Sequence, residues 1–331
     1  MERIRHLQKA REKYLHAFFA DPLANFLIRK LALSPWRGFF YSQILVLAIY
    51  ALRSFFHFQF FKDTPVLEFV MIDFFYDLIL VPATYGFYIW ISSRQGYVTY
   101  RIEREKAFFA DGRDGFAATR IHQVLNQKWL FRLASLLSLL LLLLHLPKLH
   151  QGAWIWVNHP TDYGVLFFLK IPLTWIIPWY MAAVIFSKQA VFVWQIRKAF
   201  SKSQYRLNLL HPDRCAGLKP LADYLLQFTY YLLICALGIL LLVFRSIHFQ
   251  YFHKDFLVHL AILLYLPAGF FFFHFPLQPL HLRVRTLANK LSTQIQEKTA
   301  LPKMALTGLM QAKFAFNLAL PFIIFILVCV V

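Results

Sequence analysis

The stretch that decides the fold class runs from Trp129 to Leu146 and reads WLFRLASLLSLLLLLLHL. It contains one charged residue, Arg132, close to its start. A helix needs about 20 apolar residues to cross the hydrocarbon core of a bilayer, so this stretch has the length and polarity of a membrane span. The chain of 331 residues is 59% hydrophobic and only 15% charged, a composition that excludes an ordinary soluble domain.

Similar apolar stretches recur along the chain and predict an all-α, polytopic integral membrane protein. Six or seven transmembrane helices are expected, joined to basic cytosolic helices. The predicted spans are residues 39–61, 66–92, 129–146, 165–186, 223–244 and 256–280, with 314–331 as a seventh that either spans or re-enters the membrane. Residues 1–38 then form a separate basic N-terminal region before the bundle of residues 39–331.

The placement of positive charge predicts the orientation. Of the 35 Lys and Arg residues, 28 lie in residues 1–38 and in the connections 94–128, 187–222 and 281–313, and only 4 lie in the alternate connections. Because basic segments stay on the cytosolic side, this distribution predicts a cytosolic N-terminus and three cytosolic connections in a bacterial inner membrane. Basic segments of this kind also bind anionic lipids.

Acidic residues in the second span are candidates for an ion pathway. Asp73 and Asp77 are four residues apart and share one helix face, and Arg53 in the first span is a plausible partner. Ionisable groups inside a membrane are costly and usually face a partner or a water-filled path. Two interpretations stay open: a buried ion pair within the first hairpin, or a cation pathway. Lys170 in the fourth span is expected to snorkel to the surface.

Basic residues of the cytosolic segments are candidates for binding a polyanion. Lys198, Lys202 and Arg206 recur every four residues, so a continuous helix would align them in one stripe. Lysine and arginine that neutralise phosphates are the main source of affinity for nucleic acids. The predicted ligand-binding residues are Arg197, Lys198, Lys202, Arg206 and Arg214. Arg3, Arg5 and Arg11 in the charged N-terminal helix are predicted to plug or support the binding chamber.

Two further segments carry local patterns, one an amphipathic stretch and the other a proline-containing motif. Residues 18–31 form an amphipathic stretch that either lies in the membrane interface or packs under the bundle. Residues 211–218 read His-Pro-Asp-Arg-Cys-Ala-Gly-Leu and form either a linker or a phosphate-contacting loop with His211 and Arg214. This motif is similar to the His-Pro-Asp-x-x-Gly-Gly-Leu of uncharacterised bacterial multi-span membrane proteins, with Ala216 in place of the first glycine.

The overall plan resembles the membrane effector of the Hailong anti-phage system, which shares strongly basic cytosolic segments, a charged N-terminal helix and a small helical bundle. The resemblance implies a homo-oligomeric, tetrameric ion channel that a DNA oligomer holds shut in an electropositive cytosolic chamber. Release of the oligomer during infection would open the channel and depolarise the membrane. It also implies a partner nucleotidyltransferase that makes the oligomer.

Enzymatic function is not predicted. The segment from Asp114 to Arg120 and the segment from Asn158 to Asp162 each depart in spacing from the phosphatidyltransferase and acyltransferase motifs that they partly match. No metal or other cofactor is expected, since the histidines do not occur in ligand spacings. The sequence therefore predicts an oligomeric channel gated by an anionic oligonucleotide. The alternatives are a secondary transporter that uses Asp73 and Asp77, or a non-conducting scaffold that binds anionic lipid.

Overall fold

The structure is a computed structural model that describes residues 21–56, 75–104, 108–110, 118–150, 166–201, 205–207 and 218–248, together with separate residues between 263 and 279 and residues 315, 316 and 319. This part is almost entirely helical, which confirms the all-α class. Its α-helices are α1 (Pro22–Ala24), α2 (Pro35–Phe56), α3 (Val81–Arg104), α4 (Ala118–Leu125), α5 (Lys128–His150), α6 (Ile177–Ser201) and α7 (Lys219–His248).

Wider helical turns adjoin three of these helices. They are π1 (Asn25–Lys30), which follows α1, π2 (Tyr76–Leu80), which leads into α3, and π3 (Leu166–Ile176), which leads into α6. A short antiparallel ladder completes the fold. Its strands are β1 (Phe108–Ala110) and β2 (Tyr205–Leu207), with Phe109 opposite Arg206.

Short polar side chains mark the helix starts. Asp21 accepts a hydrogen bond from the backbone N–H of Leu23 at 3.0 Å, and Pro22 occupies the first helical position. Ser34 likewise accepts from the N–H of Arg37 at 3.3 Å, with Pro35 beginning α2. These two Asx- or Ser-Pro starts fix the direction of the N-terminal segment and of α2.

The segment π3 is widened around Pro172, which lacks the N–H that a regular helix requires. Pro178, at the start of α6, also lacks an N–H, so carbonyls one turn before it accept from neighbouring side chains instead. The hydroxyl of Tyr76 donates to the carbonyl of Thr174 and that of Tyr85 to the carbonyl of Leu173, both at 3.2 Å. Two tyrosines therefore stabilise the irregular segment from the adjacent helix.

Contacts between helices give their relative directions. Along α3, Tyr85 bonds to Leu173, Ser92 to Lys188 and Gln95 to Gln189, so α3 runs parallel to π3 and α6. Along the same helix, Gln95 bonds to Tyr224 and Thr84 to Tyr231, so α7 runs antiparallel to α3.

The helix α2 is also antiparallel to α3. Gly38 contacts Ile89, and Gln43 donates to the carbonyl of Leu78 at 3.1 Å. At Gly86 a Cβ would lie 3.1 Å from the carbonyl oxygen of Pro35, so the two backbones approach closely.

One end of the bundle collects the ends of α3 and α6 and the starts of α5 and α7. We call it the basic end, because the basic side chains described there include Arg94, Arg101, Lys128, Arg197, Lys198 and Lys219. The acid Asp223 also lies at this end. Behind these charges, Val98, Ile102, Ile121, Ile196 and Phe200 belong to the buried core, so the basic end is a packed layer rather than a set of loops.

The predicted spans agree with the helices in part. Residues 39–61, 129–146 and 223–244 overlap α2, α5 and α7, and residues 165–186 overlap π3 and α6. Two helices, Leu169–Ser201 and Lys219–Leu240, are long and apolar enough to cross a membrane by length and composition. The number of six or seven spans stays a prediction. Of the amphipathic stretch 18–31, Leu27 is buried against the bundle, whereas Phe26 and Leu31 are exposed, so both the packed and the interfacial positions stay predictions.

Candidate functional site

A buried ion pair joins two of the widened segments. The Lys170 ammonium lies 3.2 Å from the Oδ2 atom of Asp77, and the two residues are 3% and 1% exposed. The hydroxyl of Tyr50 donates to the same Oδ2 atom at 2.6 Å. The ammonium also lies 5.5 Å from the centre of the Tyr50 ring. Three separate segments, α2, π2 and π3, therefore meet at one carboxylate.

Both charged partners occupy π-helical turns, Asp77 in π2 and Lys170 in π3. Such turns are rare in ordinary helices and occur often at functional sites, because they reposition a side chain and free backbone groups. The hydroxyl of Thr174 donates back to the carbonyl of Lys170 at 3.0 Å and supports this turn. The arrangement holds the two opposite charges away from water.

The expectation that Lys170 snorkels to the surface is wrong. Its ammonium points inward because a carboxylate and an aromatic ring face it there, and this pairing outweighs solvation at the bundle surface. The predicted residue Asp77 is therefore paired with Lys170 of π3. The side chain of Arg53 and all of Asp73 lie outside the described residues.

A second acidic centre anchors the N-terminal segment, and sequence analysis did not single it out. Asp21 is 0% exposed and accepts hydrogen bonds from the hydroxyls of Tyr88 and Tyr180, the latter at 2.9 Å. These tyrosines come from α3 and α6. The pair Asp21-Pro22 is a typical helix start and could have indicated a capping role, but no pattern links it to the two tyrosines.

Polar groups also fill the interior between this centre and the basic end. Gln95, Gln189 and Tyr224 bond to one another, with the Gln95 amide 3.0 Å from the Tyr224 hydroxyl. Nearby, the Lys188 ammonium donates to the Ser92 hydroxyl at 3.2 Å and lies 5.4 Å from the Phe131 ring centre. The bundle therefore has a polar interior at several levels.

At the basic end, two adjacent predicted ligand-binding residues differ in their surroundings. The Arg197 guanidinium stacks on Phe275 at 3.9 Å from the ring centre and donates to the carbonyl of Phe275 and to Gln278, at 3.2 and 3.0 Å. Trp194 stacks on the same ring. Lys198 is exposed on the helix surface. Arg197 therefore holds α6 to residues 267–279, whereas Lys198 is accessible to a ligand.

The predicted stripe Lys198–Lys202–Arg206 on one helix is wrong as geometry. The helix α6 ends at Ser201, and Arg206 lies in β2, where backbone bonding to β1 holds the chain extended. The i, i+4, i+8 spacing aligns side chains only while the helix continues. A different basic face does occur on α3, where Arg94 and Arg101 lie against the ring of Tyr97 at 4.7 and 5.8 Å. Its i, i+3, i+7 spacing is visible in the sequence.

Several predicted residues lie outside the described part of the chain. They are Arg3, Arg5, Arg11, Asp73, Lys202 and Arg214. Within the residues that the structure describes, no group of three or more His, Cys, Asp or Glu side chains could hold a metal ion.

Comparison with known proteins gives no relatives. The chain matches no protein-family model, no curated protein and no solved structure.

Proposed function

We propose that the chain is a multi-span protein of the bacterial inner membrane that assembles into an oligomeric ion channel, with a polyanion bound at the basic end controlling its opening. The observation that carries the proposal is the distribution of polarity in the bundle. Charged and amide side chains such as Asp77, Lys170, Lys188 and Gln189 are buried, while outward faces are apolar. Water favours the opposite placement of these particular side chains in a folded chain.

Two helices present such outward apolar faces. On α2, Trp36, Phe40 and Ile44 are 72%, 51% and 61% exposed and fall on one face. On α5, Leu136 and Leu139 are 63% and 52% exposed. In water an extended apolar surface of this kind favours association, whereas lipid tails or another copy of the chain cover it at little cost.

Helix length supports a basic end that stands clear of the bilayer. The helix Leu169–Ser201 has 33 residues and measures roughly 50 Å at the usual rise per residue. A hydrocarbon core is about 30 Å thick, so its last turns extend beyond it together with Lys198. In a cyclic homo-oligomer each exposed cation is repeated around the axis, and a tetramer would present a ring of them.

A polyanion bound to such a ring favours the state in which the subunits' cations converge. Loss of the ligand then shifts the population towards the other state, which we propose is the conducting one. The resemblance to the Hailong effector supports a DNA oligomer as the polyanion, channel opening as an antiviral response and a nucleotidyltransferase as the source of the ligand. Lys198, Lys202, Arg206 and Arg214 are the proposed contacts, and Arg197 positions the helix that carries Lys198.

The presence of the proposed polyanion is tested on full-length protein that has been purified gently at low salt. The ultraviolet absorbance ratio and nuclease digestion would reveal a short co-purifying oligonucleotide, and Lys198→Glu should lose most of it. Arg37→Glu is the matched control, since Arg37 is also exposed but lies at the start of α2, which packs against the middle of α3, and not at the end of α6. Wild-type protein free of nucleic acid at low salt would contradict the proposed ligand.

A secondary transporter is the second candidate, and the Asp77–Lys170 pair favours it. A carboxylate paired with an ammonium inside the bundle can change partner when a coupling ion or proton arrives. In this case Asp77→Asn protein that is still folded and assembled in proteoliposomes, although less stable, would lose gradient-driven uptake. Passive conduction that persists in Asp77→Asn would instead favour the channel.

A further inference from the structure

A groove of about 680 Å³ opens between the N-terminal segment and the helices α5 and α6. Leu23 belongs to one wall, Ser135, Leu136 and Leu139 to a second, and Tyr180 to a third. Arg132 lines the same groove. The groove therefore combines apolar walls with one cation.

Among the described residues, two charged side chains line the groove, and Arg132 is accessible to a ligand whereas Asp21 is not. Asp21 also borders it, but this carboxylate is buried and accepts hydrogen bonds from Tyr88, Tyr180 and the N–H of Leu23. Arg132 is exposed, and Lys128 stands one turn earlier on the same face of α5. An incoming ligand thus meets positive charge at one end of the groove and leucines along α5 beyond it.

The position of Arg132 along the bundle matches a membrane interface. Phe131 lies under the Lys188 ammonium, which bonds to Ser92, and Ser92 is the last residue of the predicted second span. Trp129 on the same turn is 47% exposed, as is common for tryptophan at the headgroup level. Leu136 and Leu139 then point along α5 towards the middle of the bilayer.

We propose that this groove binds an anionic phospholipid of the inner leaflet, with its phosphate at Arg132 and an acyl chain along Leu136 and Leu139. The inference rests on the membrane location proposed above. Since residues 21–23 form one wall, the bound lipid also stabilises the docking of the N-terminal segment on α3 and α6. Lipid occupancy and the docking of residues 21–23 are therefore coupled.

The site is tested by native mass spectrometry of the full-length protein in a non-ionic detergent, with equal amounts of dioleoyl phosphatidylglycerol and dioleoyl phosphatidylcholine. One cation near a phosphate gives about a fivefold preference for the anionic lipid in the wild type. Arg132→Ala should remove that preference, and Arg37→Ala should keep it because Arg37 does not line the groove. Leu139→Trp fills the groove and should reduce adducts of both lipids.

Equal binding of both lipids to the wild type, or equal losses in Arg132→Ala and Arg37→Ala, would overturn the site. So would an absence of lipid adducts together with a change of oligomer mass in Leu139→Trp, which would assign the groove to a second copy of the chain. Carbonate extraction of membranes shows whether such a result contradicts the lipid site alone or also the proposed membrane location. Wild-type protein released by carbonate contradicts the membrane location, whereas protein retained without lipid preference contradicts the groove alone.

Discussion

Asp77 and Lys170 form an ion pair whose charged atoms are 3.2 Å apart, although they belong to two segments far apart in the chain. Both side chains are buried, and Tyr50 completes the cluster through its hydroxyl. The pair ties α2 and π2 to π3, at the end of the bundle opposite to the basic end. Substitution of either residue measures how much the pair contributes to the stability of the protein.

Removing one member of this pair should destabilise the protein more than removing both. Asp77→Asn or Lys170→Met leaves a buried charge without its counterion, at a cost of about 3–5 kcal/mol. The double variant removes both charges and should recover much of that loss. The unfolding midpoints of the wild type, the two single variants and the double variant in the same detergent give the coupling energy between Asp77 and Lys170. Additive losses in the double variant would show that the pair does not act as a unit.

Tyr50→Phe provides a graded control for this cycle. It keeps the ring beside Lys170 and removes only the hydrogen bond to Asp77, so a loss of about 1.5–3 kcal/mol is expected. A loss as large as that of Asp77→Asn would mean that the substitution disturbs packing rather than one bond.

Asp21 should control the attachment of the N-terminal segment. Asp21→Ala leaves the hydroxyls of Tyr88 and Tyr180 without their acceptor, at about 1–3 kcal/mol for each buried group. Trypsin cleavage after Arg29 and Lys30, followed by mass spectrometry, should become faster, while unfolding of the bundle changes less. Asp21→Asn keeps an acceptor oxygen and should fall between the wild type and Asp21→Ala. Unchanged cleavage in Asp21→Ala would refute the anchoring role.

Close packing of α2 on α3 should make Gly86 intolerant of larger side chains. A Cβ there lies 3.1 Å from the carbonyl oxygen of Pro35 and 3.4 Å from the Cβ of Phe39, and backbone cannot yield easily. Gly86→Val is expected to lower stability by about 1–3 kcal/mol. Gly238→Ala is the control, because its new Cβ meets only the tip of Leu80, which can rotate. Equal thermal stability of Gly86→Val and the wild type would contradict this packing.

Substitutions of the neighbouring residues Arg197 and Lys198 should distinguish a structural role from a binding role. Arg197→Ala removes a guanidinium that stacks on Phe275 and bonds to Gln278, so the unfolding midpoint should fall. Lys198→Ala leaves packing intact and should lower only the affinity for a polyanion, with a weaker salt dependence of binding. Thermal unfolding and oligonucleotide titration on the same samples measure both. A lower midpoint for Lys198→Ala than for Arg197→Ala would reverse the assignment.

The positions of long apolar helices could be read from the sequence. The leucine-rich stretch at 129–146 falls within α5, and the predicted stretch 223–244 falls within α7. Such local patterns follow from hydrophobic burial and backbone bonding, which depend on neighbouring residues. The wide turn around Pro172 also has a local cause in the missing N–H.

Pairings between distant segments could not be read in this way. The position of Lys170 near a span end suggested snorkelling, because nothing local identifies Asp77 as its partner. The placement of Arg206 on one helix with Lys198 was wrong because the spacing rule assumes that α6 continues past Ser201, whereas residues 205–207 pair with β1 as a strand. Asp21 was missed since its tyrosine partners come from α3 and α6.

The proposed channel conducts ions when its polyanion is absent, and ion flux through proteoliposomes is the measurement that tests this proposal. Wild-type protein reconstituted with its co-purifying ligand should give little flux, and nuclease treatment from the basic side should raise it severalfold. Lys198→Glu should give the higher flux without nuclease, and Arg37→Glu should behave as the wild type. Liposomes that stay tight under all of these conditions would contradict the channel.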